Sequence, residues 1–379
     1  MKINQSVFQD QAWRPVSETP GFSPLQVQLV LAFGERKLLE TENVYDYLRE
    51  LYPAADIIIN STSGEIYQNQ INDDSIVVTA IEFEKTNIRT VQIDINNYTE
   101  SYQAGLQMAM ALDADNLSGI FIISDGGRVN GSDLTEALNQ HLKRNVPITG
   151  GLAGDAARFE KTLVGLNQNP TVGKIVGVGL YGNQLRIGHG SVGGWDVFGP
   201  EREVTQSEYN VLFQIDNQEA LDLYKAYLGK YADRLPGAAL LFPLSMRATA
   251  DSQPLVRTIL SIDEITKSMT FAGDMPKGAL VRFMTANLDR LVDASATAAN
   301  TSLTQLGFTP ELAILISCVG RKLVLGQRTE EEVEAAREIF GDKPVMTGFY
   351  SYGEISPLTP NAQCELHNQT MTVTVFSEN

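Results

Sequence analysis

The sequence predicts an α/β or α+β protein of two related domains, each a mixed β-sheet covered by helices, with an internal repeat. Three observations carry this expectation. Short apolar runs of strand length alternate with segments of helical period. The runs end in turns built from Gly, Arg and acidic residues. The same order of strand, Arg turn, helix, strand, Gly-acidic turn and strand occurs three times.

Residues 1–24 are polar, hold Pro15, Pro20 and Pro24, and read as an arm. From Val27 to Phe33 an apolar run makes a strand that ends in Gly34-Glu35-Arg36-Lys37. Thr41 then caps a helix with Val44, Tyr45, Leu48, Leu51 and Tyr52 on one face, and Pro53 stops it. Strands at 57–59 and 75–83 flank Ser61-Thr62-Ser63-Gly64-Glu65.

The second unit is led by an alternating strand at 88–95 and a helix at 99–112. Its strand 119–123 runs into Ser124-Asp125-Gly126-Gly127-Arg128, and a helix starts near Ser132. After Pro147 come Gly150-Gly151-Leu152-Ala153-Gly154-Asp155 and a strand at 174–181.

In the third unit a strand at 279–283 and an Ala-rich helix at 287–300 lead into strand 312–318 and Gly320-Arg321-Lys322. Thr329-Glu330-Glu331-Glu332 has the pattern of a capping box. Phe349-Tyr350-Ser351-Tyr352-Gly353-Glu354 and a last strand at 370–376 close the unit. The recurring arginines are Arg36, Arg128 and Arg321, and the recurring acids are Glu65, Asp155 and Glu354. Matched positions of two related domains should bring Asp155 and Glu354 to a common cleft.

The Gly-rich stretch from His189 to Pro200 breaks the chain, and Asp216 then caps a helix. This places residues 1–26 as an arm and 27–205 and 206–379 as domains.

A net charge of -17 argues against nucleic acid, which needs clustered Lys and Arg, and is more plainly explained by solubility. No run approaches the about 20 apolar residues of a membrane span. Two cysteines form no disulfide framework, so a reduced, cytoplasmic protein is expected. The three histidines lie in no zinc-like spacing, and no metal or cofactor is expected. The Gly150–Asp155 turn is neither a Walker loop nor a dinucleotide fingerprint.

The stretch GGLAGDAARFEKTLVG resembles the signature of the FIST N domain. FQIDNQEALDLYKAYLG, CVGRKLVLGQRTEEEVEAAREIFG, GFYSYGEISP and CELHNQTMTVTVFSE resemble the FIST C domain. The resemblance runs from about residue 27 to 377 and makes the two domains FIST N-like and FIST C-like. It implies a sensory module of intracellular signal transduction that binds a small ligand, with amino acids the usual suggestion. A separate signalling output protein would then be the partner. No site residues come with it.

Site candidates follow from chemistry. Arg128 and Arg321 on strand-end turns suit a bidentate carboxylate contact or a structural ion pair. Asp125 suits a ligand amino group or a pair with Arg128. Gly150, Gly151 and Gly154 either face a ligand with Asp155 or supply backbone freedom to a turn, and Arg158 follows closely. Tyr350, Tyr352 and Glu354 fit a polar pocket or a core strand. His367 is a ligand contact or a structural residue, Cys318 a buried thiol before a nucleophile, and Trp195 a lid or a packing anchor.

The expected function is a cytoplasmic sensor of an amino acid or similar small polar metabolite. An enzyme on an amino-acid-like substrate, using Cys318 or His367, is the alternative. A protein-interaction module is the third reading.

Overall fold

The computed structural model describes residues 1–249 and 251–378. The protein mixes four sheets with helices α1 Arg36–Thr41, α2 Val44–Leu51, α3 Ser101–Leu112, α4 Gly131–His141, α5 Ala220–Leu228, α6 Leu288–Leu306, α7 Val319–Leu325 and α8 Thr329–Phe340.

Three six-stranded sheets share one arrangement. Two neighbouring parallel strands sit at the centre of each: Leu29–Gly34 with Asp56–Ser61, Leu117–Ser124 with Ile148–Leu152, and Leu312–Cys318 with Val345–Ser351. The first strand of each pair has an antiparallel neighbour, Ile76–Glu82, Lys174–Tyr181 and Met371–Glu378 respectively. Beyond it lie Lys2–Gln9, Asn87–Asp94 and Leu185–Val192.

On the other side, each sheet borrows a strand from another unit. Val164–Leu166 joins the first sheet, Gly353–Pro357 the second and Glu65–Tyr67 the third. The exchange closes the three sheets into a ring.

The central strands are apolar over their whole length because both of their faces are covered. Their inner faces meet in one core that holds Phe33, Ile123, Ile316 and Phe349, with the Phe33 and Phe349 rings 4.9 Å apart. Outer faces are covered by α2 through Leu48, by α3 and α4 through Met108 and Leu134, and by α6 and α8 through Ala298 and Val333.

The fourth sheet interrupts the third unit. It holds the strands between Asp196–Glu208 and Leu280–Thr285 and has its own core with α5 around Tyr224, Phe271 and Phe283. Strand Leu280–Thr285 therefore does not open the third sheet, as expected of 279–283; Leu185–Val192 takes that place. The insertion separates it from α6, its partner in sequence order. Residue 205 falls inside strand Asp196–Glu208.

Three local expectations need correction. Residues 1–24 are not an arm, because Lys2–Gln9 and Ala12–Glu18 pair as a hairpin whose alternation buries Ile3, Gln5 and Val7. Asp216 and Asn217 form the positive-φ corner of another hairpin, between Val211–Ile215 and Gln218–Glu219, and the α5 helix begins after Glu219. The Thr329–Glu332 pattern makes no capping box, since the Glu332 side chain is drawn inward by Arg321.

Candidate functional site

A cavity of about 440 Å³ lies where the ring meets the inserted sheet. On the ring side it is walled by Gly126–Gly131, Leu152, Phe159, Cys318–Gly320, Tyr352 and Asn368. These follow the carboxyl ends of central strands, where α/β sheets offer crevices. The insertion supplies Leu240, Thr258, Leu260 and the run Phe271–Asp274.

The ring wall is set by Asp125. Its buried carboxylate accepts hydrogen bonds from the Gly127 and Arg128 main-chain nitrogens at 2.8 and 2.9 Å, from the Thr162 hydroxyl at 2.8 Å and from Gly173 N at 2.6 Å. Asp125 is thus spent on shaping the turn. The turn leaves the Arg128 side chain exposed, with a single hydrogen bond from Nη1 to Asn96 Oδ1 at 3.1 Å. Asn130 caps α4 through Ser132 N at 2.9 Å, and its Nδ2 donates to Asp274 Oδ1 at 3.2 Å. That bond joins ring to insertion across the cavity.

Two buried polar atoms in the walls lack a partner among the described residues: Thr258 Oγ1, on a residue 5% exposed, and Asn368 Oδ1, on a residue 1% exposed. Beside them the wall carries the Asp274 carboxylate, and Asp133 lies two residues beyond the lining Gly131. Burial, with Asp274, Glu136 and Glu100 nearby, pushes the Asp133 carboxyl up to about 6. The Arg257 guanidinium lies behind Gly273 and donates only to main-chain oxygens, of Asp274 at 3.2 Å, Val256 at 3.3 Å and Leu366 at 3.1 Å. Its burial lowers its pKa to about 10.

Of the residues expected to form a ligand site, Arg128 and Tyr352 line this cavity. The others have structural partners. Asp155 is fully buried, and its carboxylate takes Arg36 Nε at 2.8 Å and Arg158 Nε at 2.7 Å. Arg158 also holds Glu35 at 2.6 Å. Gly150 has φ +148° inside a strand, where a Cβ would meet Ile122 O at 1.9 Å. Gly151 packs on Ile316, and a Cβ on Gly154 would meet Ser63 Oγ at 2.3 Å. Gly151 and Gly154 serve close packing between units, and Gly150 serves close packing between neighbouring strands of one sheet.

Arg321 is fully buried. Its Nη2 donates to Glu332 Oε2 at 2.8 Å and to Leu291 O at 2.7 Å, and its Nη1 donates to Gly193 O at 2.5 Å. The Tyr350 hydroxyl donates to Glu332 Oε1 at 2.6 Å. Glu354 is buried, accepting from Ser351 Oγ at 2.6 Å and Thr370 Oγ1 at 3.0 Å, and burial raises its pKa to about 8. Asp155 and Glu354 both lie outside the cavity wall, so they meet no common cleft there.

The chemistry of the catalytic alternative is weak. The His367 ring bonds Ser356 O at 2.8 Å, and burial lowers its pKa to about 4. Cys318 touches the cavity, but burial first and Glu354 second push its thiol far above the thiolate range. Trp195 is a packing anchor, with Nε1 donating to Gln369 O at 2.9 Å. Among the described residues no group of three or more His, Cys, Asp or Glu could hold a metal ion, and no helix is long and apolar enough to cross a membrane.

Sequence reasoning missed Thr258, Asp274 and Asn130, because the insertion meets the ring only through the fold. Phe159 sits in the quoted GGLAGDAARFEKTLVG stretch, and Asn368 adjoins His367, so both lay within reach.

Family models described as the FIST N domain and the FIST C domain match residues 28–218 and 220–357. No match is found among curated proteins. The cavity draws walls from both matched segments, and Asn368 lies just beyond the second.

Proposed function

The chain belongs to the FIST family, and on that premise we propose that its cavity binds an amino acid or a similar small amine, as the sensing step of signal transduction. FIST domains are associated with signal transduction and suspected small-ligand sensing. The output passes to a separate signalling protein. Two free, buried cysteines and the acidic composition support a reduced, cytoplasmic setting.

The observation that carries this reading is the pair of unpartnered buried atoms, Thr258 Oγ1 and Asn368 Oδ1, in a cavity between the two matched segments. A buried polar atom without a partner costs about 1–3 kcal/mol. A ligand donor recovers that cost. Asn368 Oδ1 and the Asp274 carboxylate are acceptors and suit an ammonium. Arg128, at the rim with one bond to Asn96, suits the ligand carboxylate through its planar fork. The Tyr352 ring supplies wall.

A thermal-shift screen of the amino acids and simple amines tests the proposal. A ligand at one hundred times its Kd should stabilise the protein by ~2.7 kcal/mol. No shift with any amino acid or amine would overturn it.

A further inference from the structure

Phe159 stands at the cavity with its backbone in the left-handed region, φ +54°, and its side chain 50% exposed. Neither feature helps the fold. A bulky residue at positive φ is strained, and an exposed aromatic ring forgoes burial. Such strain persists only where the surroundings impose it, and it clusters at functional sites.

Here the surroundings are specific. The Tyr352 hydroxyl accepts from Phe159 N at 3.0 Å and donates to Ala156 O at 3.3 Å. The two rings stack at 4.7 Å with 20° between their planes. Tyr352 covers one face of Phe159, and half of the side chain remains open. From the insertion, Leu260, also 50% exposed, and the partly buried Leu240 add apolar wall to the same cavity.

The cavity thus has an interior of acceptor atoms and a mouth of apolar surface. We infer that the ligand is an amino acid or primary amine carrying an aromatic side chain, and that Phe159 is the residue that selects it. The inference rests on the reading of the cavity as an amine-binding site. The ligand ring lies on the open face of Phe159 and extends the stack begun by Tyr352, while its ammonium reaches Asn368 and Asp274. Aromatic stacking contributes beyond burial alone, so the preference is for a ring over an aliphatic chain.

Calorimetric titration with L-phenylalanine and L-serine, on the wild-type chain and on Phe159→Gly, tests this. Phenylalanine should bind at least about tenfold more tightly than serine to the wild type. Phe159→Gly should remove that preference by bringing the phenylalanine affinity down to about that of serine. The same substitution relieves the strain at φ +54° but loses the stack on Tyr352, so the melting temperature should change little. A purely structural Phe159 would instead lower the melting temperature when removed. Equal affinities in the wild type, binding of neither amino acid, or an unchanged preference in Phe159→Gly would overturn the inference. Serine binding in the first or the last of these cases would leave the parent reading standing. Failure of every amino acid and amine in the screen would remove both.

Discussion

The turn after strand Leu117–Ser124 and the helix α7 that follows strand Leu312–Cys318 hold the same place in the same sheet order, yet they treat their arginines in opposite ways. Arg321 is buried in a full set of bonds to Glu332, Gly193 and Leu291. Arg128 is exposed at the cavity with one bond. The first unit resembles the third: Arg36 is spent on Asp155. The acids divide in the same way. Glu65 and Glu354 are each held by a hydroxyl three residues earlier, Thr62 and Ser351, and by one just before the unit's closing strand, Ser75 and Thr370. In the second unit that closing position is Gly173, whose nitrogen binds Asp125 instead. Recurrence along the chain therefore marks architecture. The unit that departs from the pattern is the one whose turn, Gly126–Gly131, lines the cavity.

The largest effect should come from the locked arginine. Arg321→Met leaves the Glu332 carboxylate buried without its cation, and breaking such a pair destabilises by about 3–5 kcal/mol. Urea unfolding reads this directly. The double change with Glu332→Gln should recover part of the loss. A stable Arg321→Met protein that has lost ligand binding would break the comparison.

The acids should respond to pH with opposite sign. The folded pKa of Glu354 is raised to about 8 from the ordinary 4.5, so the folded state keeps a proton that the unfolded chain releases. Its stability contribution is complete below 4.5 and is lost as pH rises to about 8. Glu354→Gln should flatten that slope and add about 2–4 kcal/mol at pH 8. Asp155 is depressed below 3.8: its burial alone would raise it, but bonds from Arg158 and Arg36 outweigh that. Its contribution is present at neutral pH and lost as pH falls through 3.8 and below. Asp155→Asn should therefore destabilise at pH 7. Thermal melts between pH 2 and pH 9 separate the two, and parallel pH profiles would contradict the assignment.

Arg128→Lys should leave the melting temperature unchanged and weaken an amino acid by about 1.5–3 kcal/mol, since lysine loses the two-donor fork. A lowered melting temperature with unchanged affinity would put Arg128 in the same class as Arg321. The smallest effect concerns Asp133. Its carboxyl, held near 6 by burial and by Asp274, Glu136 and Glu100, is charged at pH 7 and neutral at pH 5. Affinity for a cationic amine should fall a few-fold over that interval, and Asp133→Asn should abolish the difference in a calorimetric titration.

Much of the fold was legible because its signals are local. Runs such as Ile120 to Ile123 and Leu312 to Ile316 announce buried central strands, and the Gly-acidic turns recur at fixed order. Strand exchange was not legible, since nothing in Glu65–Tyr67 or Val164–Leu166 names the sheet it joins. The insertion hid the opening strand Leu185–Val192 by separating it from α6. At the cavity, charge led toward Arg321, Asp155 and Glu354, which are charged or acidic for internal reasons. Thr258 and Asn368 carry no such signal in sequence; only burial without a partner distinguishes them.

That property gives the most direct test. Asn368→Leu is close to isosteric and removes the unpartnered Oδ1. If the atom waits for a ligand donor, relief of the unsatisfied acceptor, about 1–3 kcal/mol, should offset the lost bond from Asn368 Nδ2 to His367 O at 3.0 Å, so the variant without ligand should be about as stable as wild type. It should also bind the best amine of the screen at least about tenfold more weakly by calorimetric titration. A variant that binds as tightly as wild type would contradict the account.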